Sequence, residues 1–312
     1  MNRGNIVCVG NLVQDHLLLV DALPRLDEVV VANEGMDCIG GRGANVALTL
    51  GRMTGQQVDL VTVLPYTQRT ADNIRFLESN FVSARGIKID SMARTEHETT
   101  VIVSGKDRNC ISVFKAGDAT FSATDSQKDL VRESSVAYFS TQNRRYNQEL
   151  LSEVDPSRTT VIHNVATFLS SDAEYRKALL AKSHTIICND HEAAALGNEE
   201  GLEDIADLFD VSSVLRSIYV THGELGSTVY GRDRTQQQFG IYDCEVRVPV
   251  GAGDAYAAGV VYGISQQWTI AKGVELGSRL AALSVASSTS YPNLSQVQDV
   301  LRQTRELSST LY

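Results

Sequence analysis

Gly251-Ala252-Gly253-Asp254 is the stretch of this chain best equipped for chemistry. It follows a β-rich stretch and opens a helix of small residues. A glycine turn at a helix start leaves backbone N–H groups pointing outward, and the helix dipole adds partial positive charge there. A phosphate or a developing oxyanion is stabilised at such a spot. Asp254 stands at its edge as a carboxylate able to take the proton of an attacking hydroxyl. An anion hole and a base within four residues read as phosphoryl transfer to an alcohol. A G-x-G-D string also serves intramembrane aspartyl proteases. The apolar run that follows, Ala255–Ile264, is about ten residues and far short of the roughly twenty that cross a bilayer.

A second glycine-rich nest lies far upstream, at Ile39-Gly40-Gly41-Arg42-Gly43-Ala44-Asn45. Val46, Leu50 and Met53 follow with the i, i+4, i+7 spacing of a helix with one buried stripe. Gly40 and Gly41 let a small polar ligand lie against the main chain, and Asn45 offers both a donor and an acceptor. Asp15 ends the Gly10-Asn11-Leu12-Val13-Gln14-Asp15 run beyond the first strand. Ligands of open α/β sheets bind beyond the strand carboxyl ends, and an Asp there suits a pair of vicinal hydroxyls.

The elements that must carry these turns alternate. Ile6–Val9, Val58–Val63, Val136–Phe139, Thr160–His163, Thr185–Cys188 and Ser217–Thr221 read as buried strands. Helical patterns at Ala44–Met53, Thr70–Glu78, Asn147–Glu153, Asp172–Ala181, Glu192–Leu196, Ala255–Ile264 and Leu276–Ser287 separate or follow them. The expected fold class is α/β, a mostly parallel sheet with helices on both faces. Glu28–Ile39 and His97–Phe114 instead alternate polar and apolar residues, and we expect them to pair as a small antiparallel sheet serving as a lid. The domain reading is one unit over 1–312, with the lid built from inserted segments at about 12–39 and 95–116.

Composition narrows the partners. A chain of 312 residues with 43% hydrophobic content supports one large core. A formal charge of −10 argues against a nucleic-acid partner. It leaves room for a polyanion bound locally by N–H groups, a metal and an arginine. Five scattered cysteines without a C-x-x-C pair suit buried thiols in a reducing cytoplasm. No transmembrane or signal-peptide run is apparent, so no membrane partner is expected.

With both turns in view, the chain resembles the ribokinase-like family of carbohydrate and nucleoside kinases, the phosphofructokinase B type. Gly40 to Gly55 matches the family's first signature, and Gly251 to Gly259 its second. Between them, Asn189-Asp190-His191-Glu192 is similar to the N-x-x-E element, which implies that Asn189 and Glu192 organise Mg²⁺, through water. Thr221, Gly223 and Gly226 match the T-x-G-x-x-G turn that receives nucleotide phosphates. Ser287, in a Ser287-Ser288-Thr289 run similar to bacterial adenosine kinases, is expected on the ATP side too.

The resemblance implies a three-layer ribokinase-like fold and an ATP- and Mg²⁺-dependent kinase. Asp15, Gly40, Gly41, Arg42 and Asn45 would hold the acceptor. Asp254 would be the general base, with Gly251, Ala252 and Gly253 completing the anion hole. Val248-Pro249-Val250 stands where the family carries D-T-T, which puts activation by a monovalent cation in doubt. Val63–Arg69 replaces an acidic V-G-x-D-x-x-G segment. Arg42 stands where ribokinases commonly have Lys; the charge persists, and a forked guanidinium suits a different acceptor.

A furanose sugar with a primary hydroxyl is the favoured acceptor, since Phe114 is the main aromatic near the second lid strand. A nucleoside of the adenosine type is the alternative. A catalytically silent sugar- or nucleotide-binding regulator is the reading from another class. A dinucleotide oxidoreductase is excluded because no G-x-G-x-x-G follows the first strand. Val29, Val31, Val101, Val103, Ile111 and Val113 predict an apolar lid face and a homodimer through it.

Overall fold

Runs such as Val58–Pro65 and Val136–Ser140 leave no position for a wet face, and each is buried along its whole length. They lie in a ten-stranded sheet at the centre of the molecule. The computed structural model describes residues 5–91, 98–104, 110–115, 122–140, 144–165, 173–289 and 291–306. Strands β1 (Ile6–Val9), β2 (Val13–Val20) and β3 (Glu34–Gly40) come first, followed by β4 (Val58–Pro65), β5 (Val82–Ser83) and β6 (Ile87–Asp90). Next are β7 (Glu98–Ser104), β8 (Cys110–Lys115), β9 (Val136–Ser140) and β10 (Thr160–Asn164). The last are β11 (Thr185–Asn189), β12 (Ser217–Thr221), β13 (Ser227–Gly231) and β14 (Gln236–Phe239).

The main sheet runs β14-β13-β12-β11-β10-β9-β1-β4-β5, with β6 also on β4. Its interior pairs are parallel, and only the β12-β13-β14 edge is antiparallel. Alternate side chains feed cores on the two faces of the sheet. Cys8, Leu60, Tyr138 and Ile162 meet helices α1 (Arg42–Thr54), α8 (Ala252–Ser265) and α9 (Ile270–Val285) on one face. Val7, Val61, Phe139 and Val161 meet α3 (Asp125–Arg132) and α4 (Arg144–Ser152) on the other. Helices α2 (Gln68–Ser79), α5 (Ala173–Lys182), α6 (Asp190–Glu200), α7 (Leu208–Val211) and α10 (Leu294–Glu306) complete the layers. The result is the expected α/β sandwich. Among the described residues no helix is long and apolar enough to cross a membrane.

The small sheet is present with a different pairing from the expected one. Its order is β3-β2-β7-β8, so β2 separates the two segments that were expected to pair with each other. Val13–Val20 carries Leu17, Leu18 and Leu19 in a row, which hides its alternation. Residues 28–33 lie outside the strand, and Val29 and Val31 are exposed. Val101 and Val103, expected on an outer face, are instead buried beneath the sheet. The His97 end of the second segment and the side chain of Phe114 lie outside the described residues. The edge strands β13 and β14 and helices α3 and α10 are additions to the sequence reading.

Glycines allow α8 and α9 to approach backbone to backbone. A Cβ on Gly259 would overlap the Gly277 backbone, and one on Gly263 would come 2.8 Å from Gly273 Cα. Gly259→Ala is expected to cost about 1–3 kcal/mol through overpacking, read as a lower urea midpoint. Gly240→Ala, at a site with nothing within 4 Å of the added atom, should leave the midpoint unchanged.

Candidate active site

The first glycine nest is assembled by three returns of the chain to one place. β1 ends at Gly10, whose N–H donates to Val61 O at 3.2 Å. Ala44 N then donates to Asn11 O at 3.1 Å, drawing the start of α1 against the end of β1. A Cβ on Gly43 would lie 2.6 Å from Gly10 Cα, so this approach requires glycine. Gly40 closes β3 beside Asp15, and a Cβ there would collide with the Asp15 carboxylate. Gly41 has φ of 97°, a left-handed conformation, and turns the chain into α1.

The second nest faces the first. Gly251 has φ of 86° and precedes α8 with no side-chain cap, so the first-turn N–H groups of Ala252, Gly253 and Asp254 are left for an anion. Asn45 Nδ2 donates to Asp254 Oδ2 at 2.8 Å across 209 residues of sequence. Burial pushes the Asp254 carboxyl above the usual range; the Arg42 charge and the Asn45 hydrogen bond pull it back, and Glu192 adds to the rise. Asp254 is half-buried and borders the cleft.

Arg42 cross-links three elements. Its guanidinium donates to Glu192 Oε1 at 2.6 Å, to Asn164 Oδ1 at 3.0 Å and to Val165 O at 3.1 Å. Burial works against its charge, but Glu192 and Asp254 outweigh that and hold its pKa above the ordinary value. Asn189 and Glu192 form a capping box on α6: Glu192 N donates to Asn189 Oδ1 and Asn189 N to Glu192 Oε2, each at 2.9 Å. The pair therefore caps a helix and borders the cleft at once.

One cleft of about 520 Å³ joins these parts. Of the residues singled out in the sequence, Asp15, Gly41, Arg42, Asn45, Asn189, Glu192, Thr221, Gly251, Gly253 and Asp254 line it. Gly40, Gly223, Gly226, Ala252 and Ser287 do not. Gly223 sits in an open turn after β12, Gly226 (φ 93°) fits against the Phe239 carbonyl, and Ser287 bonds Thr289 Oγ1 at 3.2 Å. Asn11, Asn164, Thr99 and Ser112 also border the cleft and were missed by sequence reasoning. Asn11 and Asn164 were findable, since both lie at the carboxyl ends of strands in an open sheet. Thr99 and Ser112 depend on lid register, with Val101 paired to Ser112 and Asp15 to Thr99.

Among the described residues no cluster of three or more His, Cys, Asp or Glu is placed to hold a metal. Glu192 keeps lone pairs on both oxygens beyond those used by Arg42 and Asn189. This donor set fits a hard cation that arrives with nucleotide phosphates and meets Asn189 and Glu192 through water, rather than a protein cage.

The pfkB family carbohydrate kinase model matches residues 3–296. A 5-dehydro-2-deoxygluconokinase of Clostridium tetani is 24% identical over 306 residues, covering 86% of this chain and 85% of that one. A Clostridium botulinum protein of the same name reaches 33% identity, but over 92 residues that cover 28% of this chain and 27% of its own. The nucleoside kinase of Methanocaldococcus jannaschii is 23% identical over 298 residues, covering 93% of each chain. Among solved structures, Arabidopsis thaliana ribokinase complexed with ribose and ATP superposes with a TM-score of 0.77 at 18% identity, over 96% of this chain and 99% of that one. The chain belongs to the pfkB family of carbohydrate kinases and is a phosphotransferase that acts on a sugar or a nucleoside.

Proposed function

We propose that the enzyme transfers the γ-phosphate of ATP, supplied with Mg²⁺, to the primary hydroxyl of a neutral furanose, with Asp254 as general base. The observation that carries this reading is the 2.8 Å bond from Asn45 to Asp254, which joins the first glycine nest to the second. Asp15, Gly40, Gly41 and Asn45 hold the acceptor and present its hydroxyl to Asp254. The N–H groups of Ala252, Gly253 and Asp254 meet the charge that develops on the transferring group. Asn189, Glu192 and Thr221 border the nucleotide end, and bound Mg²⁺ neutralises phosphate oxygens there. Gly223, Gly226 and Ser287 belong to the wider nucleotide side, beyond the cleft wall. Arg42 positions Glu192 and Asn164 rather than gripping the acceptor. The whole chain acts as one kinase domain in the cytoplasm, and the small sheet is its lid.

Charge supports a neutral acceptor. Among the described residues the cleft is lined by three carboxylates, Asp15, Glu192 and Asp254, and one cation, Arg42. That cation is already engaged by Glu192. A gluconate-type acceptor, as in the relatives' name, brings a further carboxylate to this wall. A nucleoside acceptor is the second reading, favoured by the apolar side of the cleft at Val13, Val101, Pro249 and Val250.

ADP release with Mg·ATP is expected only when ribose, fructose or a nucleoside is present, and little with sugar acids. Asp254→Asn should lower kcat by about 10²–10⁴-fold while the nucleotide still binds. Binding of both ligands with no turnover on any acceptor would favour a silent regulator.

The raised Asp254 pKa has two consequences of defined sign. The base works ionised, so kcat/KM falls as pH drops through a value above the ordinary 3.8. Arg42→Met removes the cation that holds this value down, and should move the acid limb to higher pH. In the same window the folded state holds the proton more tightly than the unfolded state, so stability declines as pH rises through it. Above the window Asp254→Asn should melt higher than the wild type, measured by thermal unfolding across pH.

The outer lid face supports a homodimer. Leu18, Ile102 and Ile111 align across β2, β7 and β8, with exposed Val113 beside them. Light scattering should give a dimer, and Val113→Arg a monomer; a monomeric wild type overturns this.

A further inference from the structure

The inner face of the lid forms an apolar cluster separate from the cores of the main sheet. All four lid strands contribute: Leu17, Cys38, Val101 and Val103 are buried in it, with Met36 and Cys110 against them. Val248 and Val250 are the members that come from outside the lid sheet. These are the residues just before the Gly251 turn. They stand where the family resemblance leads to a carboxylate and hydroxyls for a cation.

The segment has little freedom. The N–H groups of Arg247 and Val248 both donate to Val285 O, at the end of α9, at 2.7 and 3.1 Å. Val248 is 1% exposed. Pro249 has a fixed φ, and Gly251 already turns into α8 at φ 86°. A displacement at Val248 or Val250 therefore reaches the N–H groups of Ala252 to Asp254 within a few bonds. The lid end of this contact is equally close to the ligand, since Thr99, Val101 and Ser112 border the same cleft as Pro249, Val250 and Gly251.

We infer that Val248 and Val250 are positioning residues, an apolar clasp through which the lid's seat on the acceptor sets the geometry of the anion hole. The inference rests on the kinase reading above and assigns a mechanical role to Val248, which lies behind the cleft wall, and to Val250, which is part of it. In such a clasp, packing against the lid holds the anion-hole turn without a bound cation. Two tightly packed surfaces move together, because a close-packed interface transmits displacement rather than absorbing it.

The test compares Val248→Ala, Val101→Ala and their double variant with Val131→Ala, a fully buried core change in α3 away from the cleft. Each clasp variant is expected to lower kcat about tenfold or more with little change in KM for ATP. The double variant should be no worse than the poorer single one, since both remove one contact. Val248→Ile should retain most turnover, and Val131→Ala should lower the melting temperature with kcat intact. Additive losses in the double variant, or kcat losses matched by Val131→Ala, overturn the clasp. Hydrogen exchange gives a readout without turnover: Val101→Ala should speed exchange of amides 251–256, and Val131→Ala should not. If the wild type phosphorylates no acceptor, the kinase reading fails, while unchanged exchange at 251–256 in Val101→Ala independently refutes the clasp.

Discussion

A carboxylate at the floor of a cleft is the constraint on which the surrounding structure depends. Taking Asp254 out of water costs free energy unless donors and positive charge meet it. Asn45 supplies a donor, and Arg42 supplies charge. Arg42 is half-buried and its charge is met by Glu192; Glu192 is held in turn by the Asn189 amide at the start of α6. Meeting one charge thus ties α1, β10, α6 and α8 together. Each tie crosses more than 100 residues of sequence, as the separations of 122, 150 and 209 show. A network of this kind is made only by a folded chain, so the proposed base is correctly surrounded only in the native state.

Close backbone approach is what makes those distances attainable. Gly43 against Gly10 brings α1 down onto the end of β1, and with it Arg42 and Asn45. Gly40 leaves room for the Asp15 carboxylate on the adjacent strand, and Gly259 and Gly277 let α9 lie against α8. None of these glycines does chemistry. They place helix starts where chemistry is possible, which is why both signatures are glycine-rich at the turn and helix-forming after it.

The strand–helix alternation was legible because a buried parallel strand has no wet face, and β4 and β9 satisfy that without exception. The two turns were legible as a pair: each glycine-rich helix start is ambiguous alone, and their order along the chain is what carried the family resemblance. Apart from Asn11 and Asn164, what escaped had no local signal. The β2 run has three leucines in succession and looks like neither a half-wet strand nor a turn, so its place between β3 and β7 is a tertiary fact. Thr99 and Ser112 became cleft residues only through the register of β7 and β8. Asn189 and Glu192 cap a helix and border the cleft at once. The capping bonds orient the side chains, and the same side chains border the cleft.

Net charge gives the last step. At −10 the protein repels a nucleotide triphosphate at long range, although a Debye length near 8 Å confines that repulsion at physiological salt. Inside the cleft the described side chains are net acidic, so they do not supply the attraction either. In the proposed reading it comes from backbone N–H groups at the starts of helices and from the cation that travels with the phosphates. These sources act over a few ångströms and are directional. An anion that enters gains nothing until its oxygens reach the first turn of α8, beside the carboxylate that Asn45 holds. The same arrangement that makes capture weak at a distance therefore confines stabilisation to the place where the phosphoryl group must sit.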